Sequence, residues 1–243
     1  MNKCALITGA SGGIGSEIAL RLAKDSFDIA ACYYSDEESA KELEKKLSAL
    51  GTKCRLYKAD VSDYNHIKDI FADATEFFGG VSVLVNNAGI AQQKLFTDIT
   101  EEDFDRITAV NFKSVFNCCK FAVPQMVKEK QGKIINISSM WGVCGASCET
   151  VYSATKAAVN GLTKALAREL APSNIQVNCV APGAIDTKMN NNLSDEDKRA
   201  FADEIPMGRF GTPAEIASVV SFLAGSGSDY ITAQVITADG GLI

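Results

Sequence analysis

The sequence predicts an α/β protein: a doubly wound parallel sheet of seven strands with helices on both faces. Short apolar runs of strand length alternate with longer segments of helical periodicity along the whole chain. The first apolar run leads directly into a glycine-rich turn and then a helix. The residues best able to do chemistry follow the apolar runs, where open parallel sheets bind their ligands.

In order, residues 3–8 (Lys-Cys-Ala-Leu-Ile-Thr) read as the first strand, and apolar residues recur at helical spacing from Glu17 to Ala23. Asp28 to Tyr33 is a second strand, followed by a Glu- and Lys-rich helix from Glu37 to Leu50. Cys54 to Ala59 is a third strand, Ile67 to Phe78 a helix and Val81 to Asn86 a fourth strand. Ser62 or Asp63 suits the N-cap of the Ile67 helix. A long fourth helix is expected from Glu102 to Lys128, before a strand at Lys133 to Ile137. Another helix carries Tyr152 and runs to Leu170. A sixth strand at Ile175 to Val180, a helix at Pro213 to Ala224 and a last strand at Gln234 to Ala238 complete the pattern. Such alternation places crossover helices on both faces of a parallel sheet.

The 243 residues carry no Pro/Ser-rich linker, charge block or internal repeat, so one domain over residues 1–243 is expected. At 47% hydrophobic, the chain can build a substantial core. A net charge of −6 and a pI near 5.0 argue against nucleic acid and anionic membranes as partners. The apolar start is too short for a signal peptide, and no segment reaches the length of a membrane span. Cys4, Cys32, Cys54, Cys118, Cys119, Cys144, Cys148 and Cys179 show no Cys-x-x-Cys spacing, and His66 is the single histidine. Small buried thiols in a reducing cytoplasm are expected, with no metal.

The strand, the turn Gly9-Ala10-Ser11-Gly12-Gly13-Ile14-Gly15 and the helix together suit a dinucleotide phosphate. Glycines let the backbone approach the pyrophosphate, and a helix N-terminus offers free amides and a favourable dipole. Tyr152 and Lys156 stand one helical turn apart, so they share a face. A free phenol has a pKa of about 10 and is a poor acid–base group at neutral pH. A fixed ammonium beside it is expected to lower that value.

Thr8-Gly9-x-x-x-Gly13-Ile14-Gly15 resembles the cofactor motif of the short-chain dehydrogenase/reductase family. Asn86-Asn87-Ala88-Gly89, Asn111, Ser139, Tyr152 with Lys156, and Pro182-Gly183 fall in that family's order and spacing. Within it, the chain is most similar to the bacterial 3-oxoacyl-carrier-protein reductases. The resemblance implies a Rossmann domain and a carbonyl reductase. Tyr152 would donate the proton, and Lys156 would hold the nicotinamide ribose and lower the Tyr152 pKa. Ser139, thirteen residues before Tyr152, would position the carbonyl, while Ser138 would support the turn. Asn111 would hold a relay water behind Lys156. The resemblance also implies a cofactor bed. Gly9, Ser11, Gly13, Ile14 and Gly15 would wrap the pyrophosphate. Asp60 and Val61 would frame the adenine, with Asp60 near its amino group, and Asn87, Ala88 and Gly89 would pack on the adenosine ribose. Pro182, Gly183, Ile185 and Thr187 would line the nicotinamide amide and diphosphate. A cytoplasmic homotetramer is implied, built through the long fourth helix, the Tyr152 helix and the carboxyl-terminal region.

An acidic residue ending the second strand would favour NAD(H), but Tyr33 stands there. Gly12 and Tyr34 occupy the places of the usual phosphate-binding cations, leaving Tyr33, Tyr34 and Ser35 to hold a phosphate by hydroxyls and amides. The missing carboxylate favours NADP(H) over NAD(H). On the substrate side, a basic mouth would greet an acidic carrier; Lys130 stands at one such place, and Ser173 replaces a second expected cation. Trp141 and Glu149 flank Ser139 and Tyr152, and an indole with a carboxylate can hold an ammonium. The segment from Ser139 to Glu149 also resembles reductases acting on an aminopentanone-modified lysine of elongation factor P. The alternative is that Trp141 packs as wall and Glu149 is a first-turn helix carboxylate. Three readings stand: a 3-oxoacyl-thioester reductase, an aminopentanone reductase, and a non-catalytic dinucleotide-binding sensor.

Overall fold

A computed structural model describes residues 3–187 and 194–243. The chain starts at the centre of a seven-stranded, all-parallel sheet of order β3-β2-β1-β4-β5-β6-β7. From β1 (Cys4–Ile7) it winds outward through α1 (Gly13–Lys24), β2 (Asp28–Tyr33), α2 (Glu37–Ala49) and β3 (Cys54–Lys58). It returns by α3 (Tyr64–Phe78) to β4 (Val83–Asn86) on the other flank of β1, with Ile7 paired to Ala31 on one side and Val85 on the other. The remaining path runs α4 (Glu101–Thr108), α5 (Ser114–Glu129), β5 (Gly132–Ile137), α6 (Trp141–Cys144), α7 (Thr150–Leu170), β6 (Ile175–Pro182), α8 (Asp195–Glu204), α9 (Pro213–Ala224) and β7 (Val235–Ala238). The order reverses between β1 and β4, which opens a crevice at the strands' carboxyl ends.

Strand residues alternate between faces, so each strand feeds two cores. Cys4 and Leu6 join Phe71, Phe78, Cys118, Met126 and Val177 on the face covered by α3, α5 and α7. Ala5 and Ile7 join Ile18, Leu22, Leu47, Ile216 and Val220 on the opposite face, under α1, α2 and α9. Both faces are covered, which is why the strands read as nearly continuous apolar runs. Among the described residues no helix is long and apolar enough to cross a membrane.

The expected fourth helix is not one rod. It is α4 and α5 joined by a π-helical turn over Ala109–Lys113. There Ser114 Oγ donates to the Val110 carbonyl, and Asn111 turns its amide away to the backbone of Ile90. Asp63 takes the α3 N-cap, accepting from the Asn65 and His66 amides. Two short elements were not foreseen, α6 and α8, although Ser194 and Asp197 form a capping box readable in sequence. The cysteines depart in part from expectation. Cys4, Cys32, Cys118, Cys119 and Cys179 are buried, but Cys54, on the edge strand β3, and Cys148 are half-buried, and Cys144, at the end of α6, is exposed.

Candidate active site

The glycine turn is shaped by its neighbour across the switch point. Thr8 Oγ1 accepts from the amides of Asn87 and Ala88, both at 3.0 Å. Asn87 Nδ2 donates back to the carbonyls of Thr8 (3.0 Å) and Gly9 (3.1 Å). Gly9 is held at φ +64°, and a Cβ on Gly15 would meet the Gly9 oxygen at 2.2 Å. Only glycine permits that approach of helix to turn. α1 has Gly12 at its N-cap and, like α5, α6 and α7, no side-chain cap, whereas α2, α3, α4, α8 and α9 are capped by side chains. The first residues of α1, Gly13, Ile14 and Gly15, line the cleft, and the uncapped amides of a helix start fit a diphosphate.

The cleft has a volume of about 1020 Å³. Around it stand Gly9, Ser11, Gly13, Ile14, Gly15, Tyr33, Tyr34, Ser35, Asp60, Val61, Asn87, Ala88, Gly89, Ser139, Trp141, Glu149, Tyr152, Lys156, Pro182, Gly183, Ile185 and Thr187. Asn111, among the residues expected to do chemistry or hold the cofactor, lies outside this lining. It is fully buried, with Oδ1 accepting from the Ile90 amide (2.8 Å) and Nδ2 donating to the Ile90 carbonyl (2.9 Å) and Thr155 Oγ1 (3.3 Å). It abuts the cleft from behind: a Cβ on Gly89 would stand 3.2 Å from Lys156 Nζ and 3.4 Å from Asn111 Oδ1.

Tyr152 and Lys156 do share a face of α7, but Lys156 Nζ donates to the Ile137 carbonyl at 2.9 Å, and lies 5.7 Å from the Tyr152 ring centroid. The expected lowering of the phenol pKa is therefore not found. Burial pushes Tyr152 up to about 12, with Ser139 drawing it down and the Glu149 carboxylate adding to the rise. Burial lowers the Lys156 ammonium to about 8. Ser139 Oγ accepts from the Trp141 amide at 3.2 Å, which leaves its proton available. Ser138 Oγ donates to the Lys156 carbonyl at 3.0 Å and so ties the end of β5 to α7.

Asp60 is engaged more fully than foreseen. Its Oδ1 accepts from the amide (2.9 Å) and hydroxyl (2.6 Å) of Ser62, and its Oδ2 from Arg106 at 2.9 Å. Burial opposes ionisation of Asp60, yet Ser62 and Arg106 hold its carboxyl below the usual range. Asn87 likewise spends its side-chain amide on the glycine turn.

Beside Tyr152 in the cleft lining, α6 carries Trp141. A Cβ on Gly142 would stand 2.7 Å from the Lys156 backbone, and Asn160 Nδ2 donates to the Gly142 carbonyl at 2.9 Å, so α6 lies directly on α7. Glu149 is the α7 N-cap residue, one position earlier than a first-turn residue, and its carboxylate caps no amide. Burial raises its pKa. Lys130 is not at this mouth. It ends α5 in a left-handed conformation beside Asn174, next to the paired starts of β5 and β6, at the opposite end of the sheet. The sequence reading also missed Ile90, Gln93, Arg106 and Phe201 in the lining. They come from loops and helix faces that carry no motif.

Residues 9–243 match a family described as enoyl-(acyl carrier protein) reductase. The chain is 43% identical over 242 residues to the 3-oxoacyl-(acyl-carrier-protein) reductase FabG of Staphylococcus aureus, covering 100% of this chain and 98% of that protein. It is 42% identical over 241 residues to the enzyme of the same name from Thermotoga maritima, covering 99% and 98%. It is 38% identical over 242 residues to the uncharacterized oxidoreductase YmfI of Bacillus subtilis, covering 99% of each. The fold and the cleft define a dinucleotide-dependent oxidoreductase acting on CH–OH and carbonyl groups. The chain belongs to the short-chain dehydrogenase/reductase family.

Proposed function

We propose that the protein is an NADP(H)-preferring ketone reductase of the cytoplasm, acting as one catalytic domain and as a homotetramer, on 3-oxoacyl thioesters of the acyl-carrier-protein type. The convergence of Ser139, Tyr152 and Lys156 on one wall of the cleft carries the reading of a reductase. A cofactor-binding sensor has no use for that set. The names and full-length identity of the relatives support the thioester substrate.

In this scheme Lys156, Pro182, Gly183, Ile185 and Thr187, all in the lining, would hold a nicotinamide, which would supply the hydride for the carbonyl carbon. The Ser139 hydroxyl donates to the ketone oxygen and fixes it beside the phenol. Tyr152, with its pKa near 12, is protonated at neutral pH and supplies the proton as negative charge develops on that oxygen. The Lys156 ammonium holds the ribose hydroxyls of the cofactor and offsets the phenolate left behind. Asn111 anchors the loop at Ile90 and holds the relay water that resupplies the proton. The uncapped start of α1 takes the diphosphate, and Tyr33, in place of a carboxylate, admits a 2′-phosphate.

A second substrate reading rests on the mouth itself. Trp141 and the half-buried Glu149 line the cleft with Tyr152, Lys156 is the one cation lining that end, and Lys130 lies elsewhere. That chemistry suits a ketone bearing an ammonium, such as a protein-borne aminopentanone-modified lysine of elongation factor P. Turnover of NADPH with an acetoacetyl thioester and with an amino ketone, side by side, decides between them. Turnover of neither ketone would overturn both.

A further inference from the structure

Arg106 and Lys156 are the only cations among the described residues lining the cleft. They stand at opposite ends. Lys156 is fixed to the end of β5 through the Ile137 carbonyl. Arg106, near the end of α4, reaches the loops that follow β2 and β3, where Tyr33, Tyr34, Ser35, Asp60 and Val61 form the adenosine end. Its guanidinium carbon lies 5.6 Å from the centroid of the exposed Tyr34 ring. One of its nitrogens, Nη1, is engaged, with Asp60 Oδ2 at 2.9 Å and Ser62 Oγ at 3.5 Å. The other N–H donors make no hydrogen bond with the described residues, and the side chain is 44% exposed.

We infer that Arg106 is the residue that reads the 2′ position of the cofactor ribose, its guanidinium seated on Tyr34 and serving as counter-charge to a 2′-phosphate. This rests on the NADP(H) reading above and deepens it. A planar guanidinium can keep a carboxylate on one nitrogen while presenting the others to phosphate oxygens. The Tyr34 face limits the orientations the side chain samples, and cation–π contact holds it there. Asp60 keeps the arginine extended over the adenosine end. Asp36 and Asp60 also line this end, so without Arg106 a 2′-phosphate would meet carboxylates, hydroxyls and backbone amides but no lining cation. Neither Gly12 nor Tyr34 supplies a cation. Arg106 supplies it from a different element, across the mouth.

The test uses the full-length protein and compares binding of 2′,5′-ADP with 5′-AMP, and of NADPH with NADH, by calorimetry. Wild type should prefer each phosphorylated member. Arg106→Gln should weaken 2′,5′-ADP and NADPH by about 10- to 100-fold, the size of one charge-assisted pair, and leave 5′-AMP and NADH within about twofold. Arg106→Lys should fall between, keeping the charge and losing the fork. A wild type that binds 5′-AMP as tightly as 2′,5′-ADP would overturn the NADP(H) reading itself. A wild type with the preference, and an Arg106→Gln variant that keeps it, would overturn the role of Arg106 alone. Equal weakening of all four ligands would likewise overturn it, in favour of an adenine contact.

Discussion

The Lys156 ammonium donates to the Ile137 carbonyl and stands 5.7 Å from the centre of the Tyr152 ring. It is thus a buried cation held by a backbone oxygen, with its ammonium lowered to about 8 by burial. Ribose hydroxyls arriving beside it favour the charged form. At about pH 9 the free protein should therefore hold Lys156 largely neutral and take up close to one proton on binding cofactor, whereas near pH 6.5 it should take up none. Calorimetry in two buffers of different ionisation enthalpy measures this, and no uptake at the higher pH would contradict it.

The same shift has a consequence for stability. Between pH about 8 and 10.5 the folded chain binds fewer protons at Lys156 than the unfolded chain, so this group makes stability rise with pH across that window. Below pH 8 its burial cost is fully present, on the order of 3 kcal/mol. Lys156→Met should raise the Tm at pH 7 more than at pH 10.5 while abolishing turnover. A lower Tm at pH 7 would count against a strained buried ammonium.

Tyr152→Phe removes the proton donor and keeps the ring. Turnover should fall by about 10²–10⁴-fold, the usual worth of general acid catalysis, with cofactor affinity within a few-fold of wild type. Near-normal kcat would remove Tyr152 from the chemistry.

Glu149→Gln should raise KM for an amino ketone and leave a neutral acetoacetyl thioester almost unchanged, because only the first offers a cation to the carboxylate. Removing the negative charge should also ease the phenol of Tyr152 downward, since Glu149 adds to its rise. Equal effects on both substrates would make Glu149 an N-cap position and nothing more.

Gly15→Ala should be far more damaging than Gly12→Ala. The added methyl would sit 2.2 Å from the Gly9 oxygen and 2.7 Å from Asn87 Nδ2 in the first case, but at an ordinary 3.5 Å from the Gly9 oxygen in the second. A loss of about 1–3 kcal/mol is expected for Gly15→Ala, with weakened cofactor binding. Thermal unfolding and titration of both variants check it.

Phe104 on α4 and Phe116 on α5 are exposed, as are Ala154, Ala157 and Gly161 on α7. Small residues on one helix face beside exposed rings suit symmetric self-association. Light scattering at micromolar concentration should give a tetramer, and Phe116→Glu or Gly161→Arg should give smaller species. A wild-type monomer would refute the assembly.

Much of the site was legible because its parts are local. The glycine turn lies within seven residues, and Tyr152 and Lys156 within one helical turn. What failed to show were contacts between distant segments. The π turn that breaks the expected fourth helix is accompanied by Asn111 bonding to Ile90, twenty-one positions away. Arg106 meets Asp60 across forty-six positions, with nothing in either neighbourhood to announce it.

By itself, then, the sequence determined the seven strands, their parallel sheet and the residues proposed for the site. Apolar periodicity and short motifs report on neighbours along the chain, and the right-handed crossover does the rest. Tertiary structure alone decided the state and company of those residues. It placed Lys156 on a carbonyl rather than on the phenol, raised Tyr152 by burial, carried Lys130 to the far end of the sheet, laid α6 on α7 at Gly142, and brought Arg106 to Asp60. Desolvation and side-chain reach depend on what packs in three dimensions, and no spacing along one strand or helix encodes them.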